Sequence, residues 1–84
     1  MLSRKEVRQP VRRAGWLDVG KVQSLIPCVL WDISRNGARV AAARPDALPE
    51  EFTVLLENKT VRRLCRVIWR RDRFVGVSFE QALP

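Results

Sequence analysis

A carboxylate, a hydroxyl and a glycine lie within six residues of one another near the middle of the chain, as Asp32, Ser34 and Gly37. Apolar runs flank them, and Asn36-Gly37 between two such runs indicates a tight β-hairpin turn, because both residue types tolerate positive φ. A carboxylate accepts hydrogen bonds and a hydroxyl also donates them, so a hairpin would hold both groups on a rigid frame. The pattern predicts either turn chemistry alone or one half of a ligand site.

The second group of residues that could do chemistry is the arginine-rich N-terminus. The chain carries 16 Lys and Arg against 9 Asp and Glu, a net charge of +7, and most of the basic residues are arginine. Residues 1–13 hold five basic residues against one acidic residue, hence +4. Arginine pairs bidentately with phosphate or a guanine edge and stacks on bases. This charge indicates a polyanionic or nucleotide-like partner, with a merely solvated basic tail as the alternative.

The absence of histidine weighs against several classes of function. The two cysteines, Cys28 and Cys65, stand 37 positions apart, whereas a zinc site takes about four Cys or His ligands. We therefore expect buried reduced thiols, no metal and no cofactor. Histidine is also the commonest general base, and no pair of carboxylates stands out for acid–base chemistry. The sequence does not predict an enzyme.

The 84 residues are sufficient for one small domain. Residues 1–10 are basic and nearly free of large apolar side chains, so they are predicted to form a flexible arm. The folded domain is expected over residues 11–80, and residues 81–84 form a tail too short for a C-terminal helix. No secretory signal and no apolar run approaching ~18 residues is present. We therefore expect a cytoplasmic protein without membrane insertion.

Six short apolar or alternating runs predict β-strands, separated by turn residues and without helical periodicity. The fourth run, for example, places Phe52, Val54 and Leu56 on one face. Pro27 interrupts the second run and predicts a bend there. Together they indicate an all-β fold, a six-stranded antiparallel β-barrel whose closure hides the strand edges. The predicted strands are 11–19, 22–33, 38–43, 52–57, 61–71 and 74–79.

Tryptophan offers a further surface on which bases could stack. Trp16, Trp31 and Trp69 are the candidates for such a platform. Trp69 alternates with Cys65 and Val67 along the fifth strand, and this alternation favours a position in the core.

Both groups of polar residues together resemble the two-part signature of PilZ domains. Arg4-x-x-x-Arg8 is followed after 23 residues by Asp32-x-Ser34-x-x-Gly37. Arg-x-x-x-Arg alone is a weak signal in an arginine-rich chain, whereas Asp-x-Ser-x-x-Gly on a hairpin at this distance is specific. The similarity covers residues 4 to 79 and includes the segments 8–11, 37–40, 67–69 and 75–79.

The resemblance implies a non-catalytic bacterial receptor for the second messenger cyclic di-GMP. Arg4 and Arg8 would lie on an arm that wraps over the ligand and would pair with its phosphates or guanines. Asp32 would accept from a guanine N–H or hold an arginine, Ser34 would donate its hydroxyl, and Gly37 would permit positive φ and close approach of the ligand. Ordering of the arm would then change the surface shown to a protein effector.

Two other functions also fit these residues. A basic small barrel could bind RNA or single-stranded DNA through many arginines, with a steep salt dependence. A PilZ-like adaptor could bind no nucleotide at all. Because both halves of the signature are present, we expect the messenger and not nucleic acid. Arg8-x-x-x-Arg12 is a second register, but Pro10 favours Arg4 and Arg8; Arg12 and Arg13 are then expected to face solvent or to make secondary phosphate contacts.

Overall fold

Six β-strands form the protein in a computed structural model that describes residues 9–20 and 25–80. A single short 3₁₀ turn, Pro45–Ala47, lies between the third and fourth strands of this described part. The strands are β1 (Gln9–Asp18), β2 (Ile26–Ile33), β3 (Gly37–Ala41), β4 (Glu51–Leu56), β5 (Val61–Arg71) and β6 (Phe74–Phe79).

The strands close into a barrel in the order β1-β2-β3-β6-β5-β4. All six neighbouring pairs are antiparallel. β1 completes the ring, because it pairs with β2 along most of its length and with β4 at Trp16, Leu17 and Asp18. Each described strand therefore has two neighbours for its backbone hydrogen bonds. The predicted all-β, six-stranded antiparallel barrel is confirmed.

The interior of the barrel is filled by apolar side chains from all six strands. They alternate along each strand with residues of the outer face, because successive side chains point to opposite faces of a sheet. Cys28 and Cys65 are free and buried, as predicted, and burial raises the pKa of each thiol to about 12. Both thiols therefore stay protonated and unreactive at neutral pH. The largest fully buried side chains are Leu17, Leu30, Val40, Val54, Cys65 and Val75.

The strand boundaries agree with those predicted from the sequence to within two residues, except for the start of β2, which is Ile26 and not residue 22. β5 and β6 have the predicted limits, whereas β1 begins at Gln9, two residues before its predicted start. At Pro27, β2 stays in regular register with β1, so no bulge interrupts this pairing, and the bend near Pro27 stays a prediction. The irregularity of β2 falls between Leu30 and Asp32, where the register with β3 shifts.

The predicted arm and tail extend beyond the described residues, which leave out 1–8, 21–24 and 81–84. A flexible arm over residues 1–10 and a tail over residues 81–84 therefore stay predictions. In the part of the chain that the structure describes, no helix has the length and apolar character needed to cross a bilayer.

Candidate functional site

Segment 32–37 forms the hairpin that joins β2 to β3 at one end of the barrel. Asp32 lies near the end of β2, and Gly37 is the first residue of β3. The backbone N–H of Ser34 donates to the carbonyl of Gly37 at 2.8 Å, and the Ser34 hydroxyl donates to the same carbonyl at 3.3 Å. Ser34 is 6% exposed. Its hydroxyl thus helps to close the hairpin, as a serine turn does.

Gly37 is needed for close packing and not for positive φ. Among the described residues, the glycine with positive φ is Gly20, at 86°, and neither Asn36 nor Gly37 adopts such a value. A Cβ on Gly37 would overlap the carbonyl oxygen of Val77 in β6. The carbonyl of Asn36 also accepts from the backbone N–H of Phe79 at 2.7 Å. The expected positive φ was therefore wrong: glycine allows β6 to pack directly against the hairpin.

Asp32 holds an arginine on the outer face of the barrel. Its Oδ2 accepts a hydrogen bond from Arg39 Nε at 2.9 Å and lies 2.7 Å from Arg39 Nη2. The two residues are directly opposite in the ladder between β2 and β3, and opposite residues point to the same face. The Asp32 side chain is only 9% exposed, whereas that of Arg39 is 40% exposed. Arg39 was not among the residues predicted from the sequence, although counting outward from the hairpin places it opposite Asp32.

Asp32 and Arg39 belong to a line of residues that crosses five strands, which we call the outer row: Pro10, Asp32, Arg39, Gly76 and Trp69. Each member is directly opposite the next in the ladders of β1, β2, β3, β6 and β5. Neighbouring strands lie about 4.8 Å apart, so the row extends over roughly 19 Å. It presents a carboxylate, a guanidinium and an indole on one face, beside the point where the N-terminal residues enter the barrel.

Trp69 lies on the outer face and is 41% exposed. The prediction that it lies in the core was wrong, because the register of β5 with β6 shifts between Val67 and Trp69. Such a bulge adds one residue to the strand and reverses the alternation beyond it. The indole lies on Gly76, where a Cβ would overlap the ring. The geometry therefore favours the other role considered for Trp69, an exposed platform for stacking.

Arg12 is fixed to the barrel wall by Trp31. Arg12 has a φ of 44°, and the register of β1 with β2 shifts around it. Its Nη1 donates to the Trp31 carbonyl at 2.6 Å, and its guanidinium lies 3.9 Å from the centroid of the Trp31 ring. Trp31 in turn meets Phe74 edge to face, with 5.2 Å between centroids. These contacts favour the arm register that uses Arg4 over the one that uses Arg12.

Carboxylates of the same chain compensate much of the positive charge on the barrel. Five of the described arginines form ion pairs: Arg13 with Glu57, Arg39 with Asp32, Arg62 with Asp18, Arg66 with Glu51 and Glu80, and Arg70 with Glu50. Arg4 and Arg8 of the predicted site lie outside the described residues. The structure thus brings Asp32, Ser34 and Gly37 together on one hairpin, and the contribution of the two arm arginines stays a prediction.

Comparison with known proteins identifies the family. The family model for the PilZ domain matches residues 2–84, which is nearly the whole chain. Among curated proteins, no significant match was found. The match extends well beyond half of the sequence and agrees with the closed barrel and with the polar hairpin. The protein therefore belongs to the PilZ domain family, whose members are generally non-catalytic receptors for cyclic di-GMP.

Proposed function

We propose that this protein is a bacterial receptor that binds cyclic di-GMP through Arg4, Arg8, Asp32, Ser34 and Gly37. In this proposal it performs no catalysis and uses no metal or cofactor. Binding orders the N-terminal arm, and the new surface is recognised by a protein effector. The two buried thiols, which are free, support a location in the reducing cytoplasm.

The observation that carries this proposal is the position of Pro10. It is directly opposite Asp32 in the ladder between β1 and β2, so the arm joins the barrel beside the polar hairpin. Arg8 is two residues before Pro10, and two residues span at most about 7 Å. The guanidinium of Arg8 can therefore reach a ligand held on the hairpin, and Arg4, four residues further, can close over it.

The chemistry of the outer row matches both parts of the messenger. Cyclic di-GMP has two phosphates and two guanines, and arginine can pair bidentately with either group. The partly exposed guanidinium of Arg39, oriented by Asp32, adds a cation to those of the arm. The exposed indole of Trp69 offers a surface for stacking of a guanine. Each kind of group on the ligand thus has a partner on one face of the barrel.

Ser34 and Gly37 belong to the hairpin that carries Asp32 of this row. The hydroxyl of Ser34 donates a hydrogen bond to the Gly37 carbonyl. In the proposal this hydroxyl is shared with the ligand, while Gly37 keeps β6 packed against the hairpin so that the position of Asp32 does not change on binding. Preorganised groups lose less conformational entropy when the ligand binds.

Binding of nucleic acid receives less support than binding of the messenger. A nonspecific site for single-stranded nucleic acid needs a continuous positive groove. Five described arginines of the barrel are instead paired with carboxylates. Residues 1–13 carry +4 of the net charge of +7, and Pro10, within this segment, lies opposite Asp32 of the hairpin.

Calorimetric titration with cyclic di-GMP tests the proposal. Arg8→Ala removes two charge-assisted hydrogen bonds of roughly 1.5–3 kcal/mol each, so we expect affinity to fall about 100-fold. Arg73→Ala is the matched control, because Arg73 is an exposed arginine of the β5–β6 turn at the opposite end of the barrel. The affinity of this variant for cyclic di-GMP should equal that of the wild type. Absence of binding to the wild-type protein, or equal losses in both variants, would contradict a specific receptor site.

The coupling of binding to the arm requires a second measurement. In NMR spectra of the ¹⁵N-labelled protein, the amides of residues 2–8 should shift and lose their fast motion at saturating messenger. Amides of the 3₁₀ turn, Asp46 and Ala47, serve as the internal reference. If cyclic di-GMP binds and the arm amides do not change, the receptor function stands but ordering of the arm is excluded.

A further inference from the structure

The outer face of β5 exposes large apolar side chains. Leu64, Ile68 and Trp69 are 49%, 64% and 41% exposed, respectively. Of the described residues, the one other large apolar side chain with comparable exposure is Val29, at 37%, on β2. Exposed apolar side chains scattered singly are ordinary, whereas these three lie on the outer face of one strand.

The bulge in β5 creates this surface. The register shifts between Val67 and Trp69, so Ile68 is the additional residue in the strand. Ile68 and Trp69 are consecutive, yet both are exposed, whereas the flanking Val67 and Arg70 are partly buried. A regular strand would turn one of the two inward. Bulges often redirect side chains at functional positions.

Arginines separate the apolar side chains along the strand. Arg66 lies between Leu64 and Ile68, and Arg71 follows Trp69. We call the five residues Leu64, Arg66, Ile68, Trp69 and Arg71 the β5 ridge. Arg66 pairs with Glu51 and Glu80 on either side of it. Within the part of the chain that the structure describes, Arg71 has no ion-pair partner.

The charges on and beside the β5 ridge indicate which kind of molecule could bind there. A second copy of the chain carries the same net charge of +7, so like charges would oppose its approach. An anionic bilayer or a nucleic acid presents a broad negative surface, which would also approach the carboxylates of Glu51 and Glu80, exposed to 46% and 39%. A narrow acidic segment can instead contact Ile68 and pair with Arg71 without meeting those carboxylates. Tryptophan and arginine are also the residues most enriched at energetically important protein contacts.

We propose that the β5 ridge is the docking surface for a short acidic segment of a partner protein, one that inserts apolar side chains between the arginines. The inference rests on the proposed function for the existence of an effector, and it adds where and by what chemistry that effector binds. Trp69 belongs both to the ridge and to the outer row. A messenger that contacts Trp69 therefore lies directly beside the docked segment, and one ligand can change the affinity for the other.

The test uses a synthetic acidic peptide of 16 residues, made of Glu, Leu and Ala with its leucines on one helical face. It is titrated into the full-length ¹⁵N-labelled protein without messenger. The largest amide shifts are expected at Ile68, Trp69 and Arg71. Ile68→Ser and Arg71→Ala should each lower the affinity of the protein for the peptide about tenfold. Val29→Ser and Arg44→Ala are the matched controls on other parts of the barrel and should leave the affinity unchanged.

Three control probes define the outcomes that would overturn the inference. The same peptide with Leu replaced by Ser, or with Glu replaced by Lys, should bind at least tenfold more weakly. Vesicles of phosphatidylglycerol should not shift the ridge amides. Equal binding by a control peptide, a vesicle effect that Ile68→Ser abolishes, dimerisation through the ridge, or no shift with the acidic peptide at millimolar concentration would each exclude docking of an acidic segment.

Failure of this inference is distinguishable from failure of the proposed function. Calorimetry with cyclic di-GMP on Ile68→Ser should give the affinity of the wild type, because Ile68 lies outside the outer row. If the wild-type protein binds no messenger while the peptide shifts the ridge, the proposed receptor function is wrong and the docking surface stands. If the messenger binds and the peptide does not, the docking surface is wrong and the proposed receptor function stands.

Discussion

The hairpins β2–β3 and β4–β5 lie at the same end of the barrel and obtain their shape in opposite ways. The β4–β5 hairpin holds three consecutive residues at positive φ, Glu57, Asn58 and Lys59, with values of 48°, 61° and 73°. Thr60 closes it by donating its N–H and hydroxyl to the Glu57 carbonyl, at 3.2 and 2.6 Å. This turn is built almost entirely from its own residues, three of which are in a left-handed conformation that non-glycine residues disfavour.

The β2–β3 hairpin depends on a third strand. Its backbone avoids positive φ, and β6 packs against Gly37 and donates from Phe79 to the Asn36 carbonyl. Its ion pair, between Asp32 and Arg39, is largely shielded on the carboxylate side. The comparison indicates that the candidate site is held by tertiary packing. Substitutions in this hairpin should therefore disturb the whole barrel, and those in the β4–β5 hairpin should have local effects.

The largest expected effect that separates the two hairpins is that of Gly37→Ala. The added Cβ meets the Val77 carbonyl, so β3 and β6 must move apart, and we expect a loss of about 3 kcal/mol in the free energy of unfolding. Asn58→Ala is the control in the other hairpin. This variant exchanges one non-glycine residue at positive φ for another, so the free energy of unfolding should fall by at most about 1 kcal/mol. Urea denaturation measures both, and equal losses would remove the distinction between the hairpins.

An intermediate effect is expected from the ion pairs of the two hairpins. A double-mutant cycle with Asp32→Asn and Arg39→Gln should give a coupling free energy of about 1.5 kcal/mol, because the carboxylate is shielded and charge-assisted hydrogen bonds are short. The matched cycle uses Arg13→Gln and Glu57→Gln, whose side chains are 57% and 54% exposed. It should give less than about 0.5 kcal/mol. A larger coupling at the exposed pair would show that burial does not distinguish the two sites.

The smallest effect is expected from Lys59→Gly. The variant relieves a φ of 73°, worth roughly 1–2 kcal/mol, but glycine costs about 0.5–1 kcal/mol in conformational entropy. It also removes the contact of Lys59 Nζ with the Trp16 ring, 4.7 Å from the centroid, worth about 0.5 kcal/mol. The free energy of unfolding, measured by thermal denaturation, should therefore change by less than about 0.5 kcal/mol. The affinity for cyclic di-GMP should be unchanged. A change in affinity equal to that of Arg8→Ala would place the β4–β5 hairpin in the binding site.

The fold was predictable because it depends on local patterns. Alternation of apolar and polar residues is a property of neighbouring positions, and it located β5 and β6 at Val61–Arg71 and Phe74–Phe79. The same alternation failed at Trp69, since a bulge results from the pairing of β5 with β6 and leaves no local mark on the sequence. Pro27 causes no bulge in the pairing with β1, and it lies beyond the end of the ladder with β3.

The candidate site was predicted in part. Asp32, Ser34 and Gly37 were correctly placed on one hairpin, since they are close in sequence. The reason given for Gly37 was wrong, because the close approach of Val77 comes from β6, some forty residues away along the chain. Arg39 was missed among the many arginines, and only the pairing of β2 with β3 distinguishes it. The contribution of Arg4 and Arg8 stays a prediction that the calorimetric experiment tests.

The sequence by itself determined the all-β class, the approximate strands, the buried thiols and the polar signature that suggested a nucleotide receptor. Each of these depends on residue type and on spacing over a few positions. Tertiary structure alone decided which residues stand opposite one another across distant strands or a bulge: Arg39 with Gly76, and Gly76 with Trp69. A one-residue shift in register moves every side chain of a strand to the other face. The composition of the outer row and of the β5 ridge therefore follows from the registers and bulges of the closed barrel.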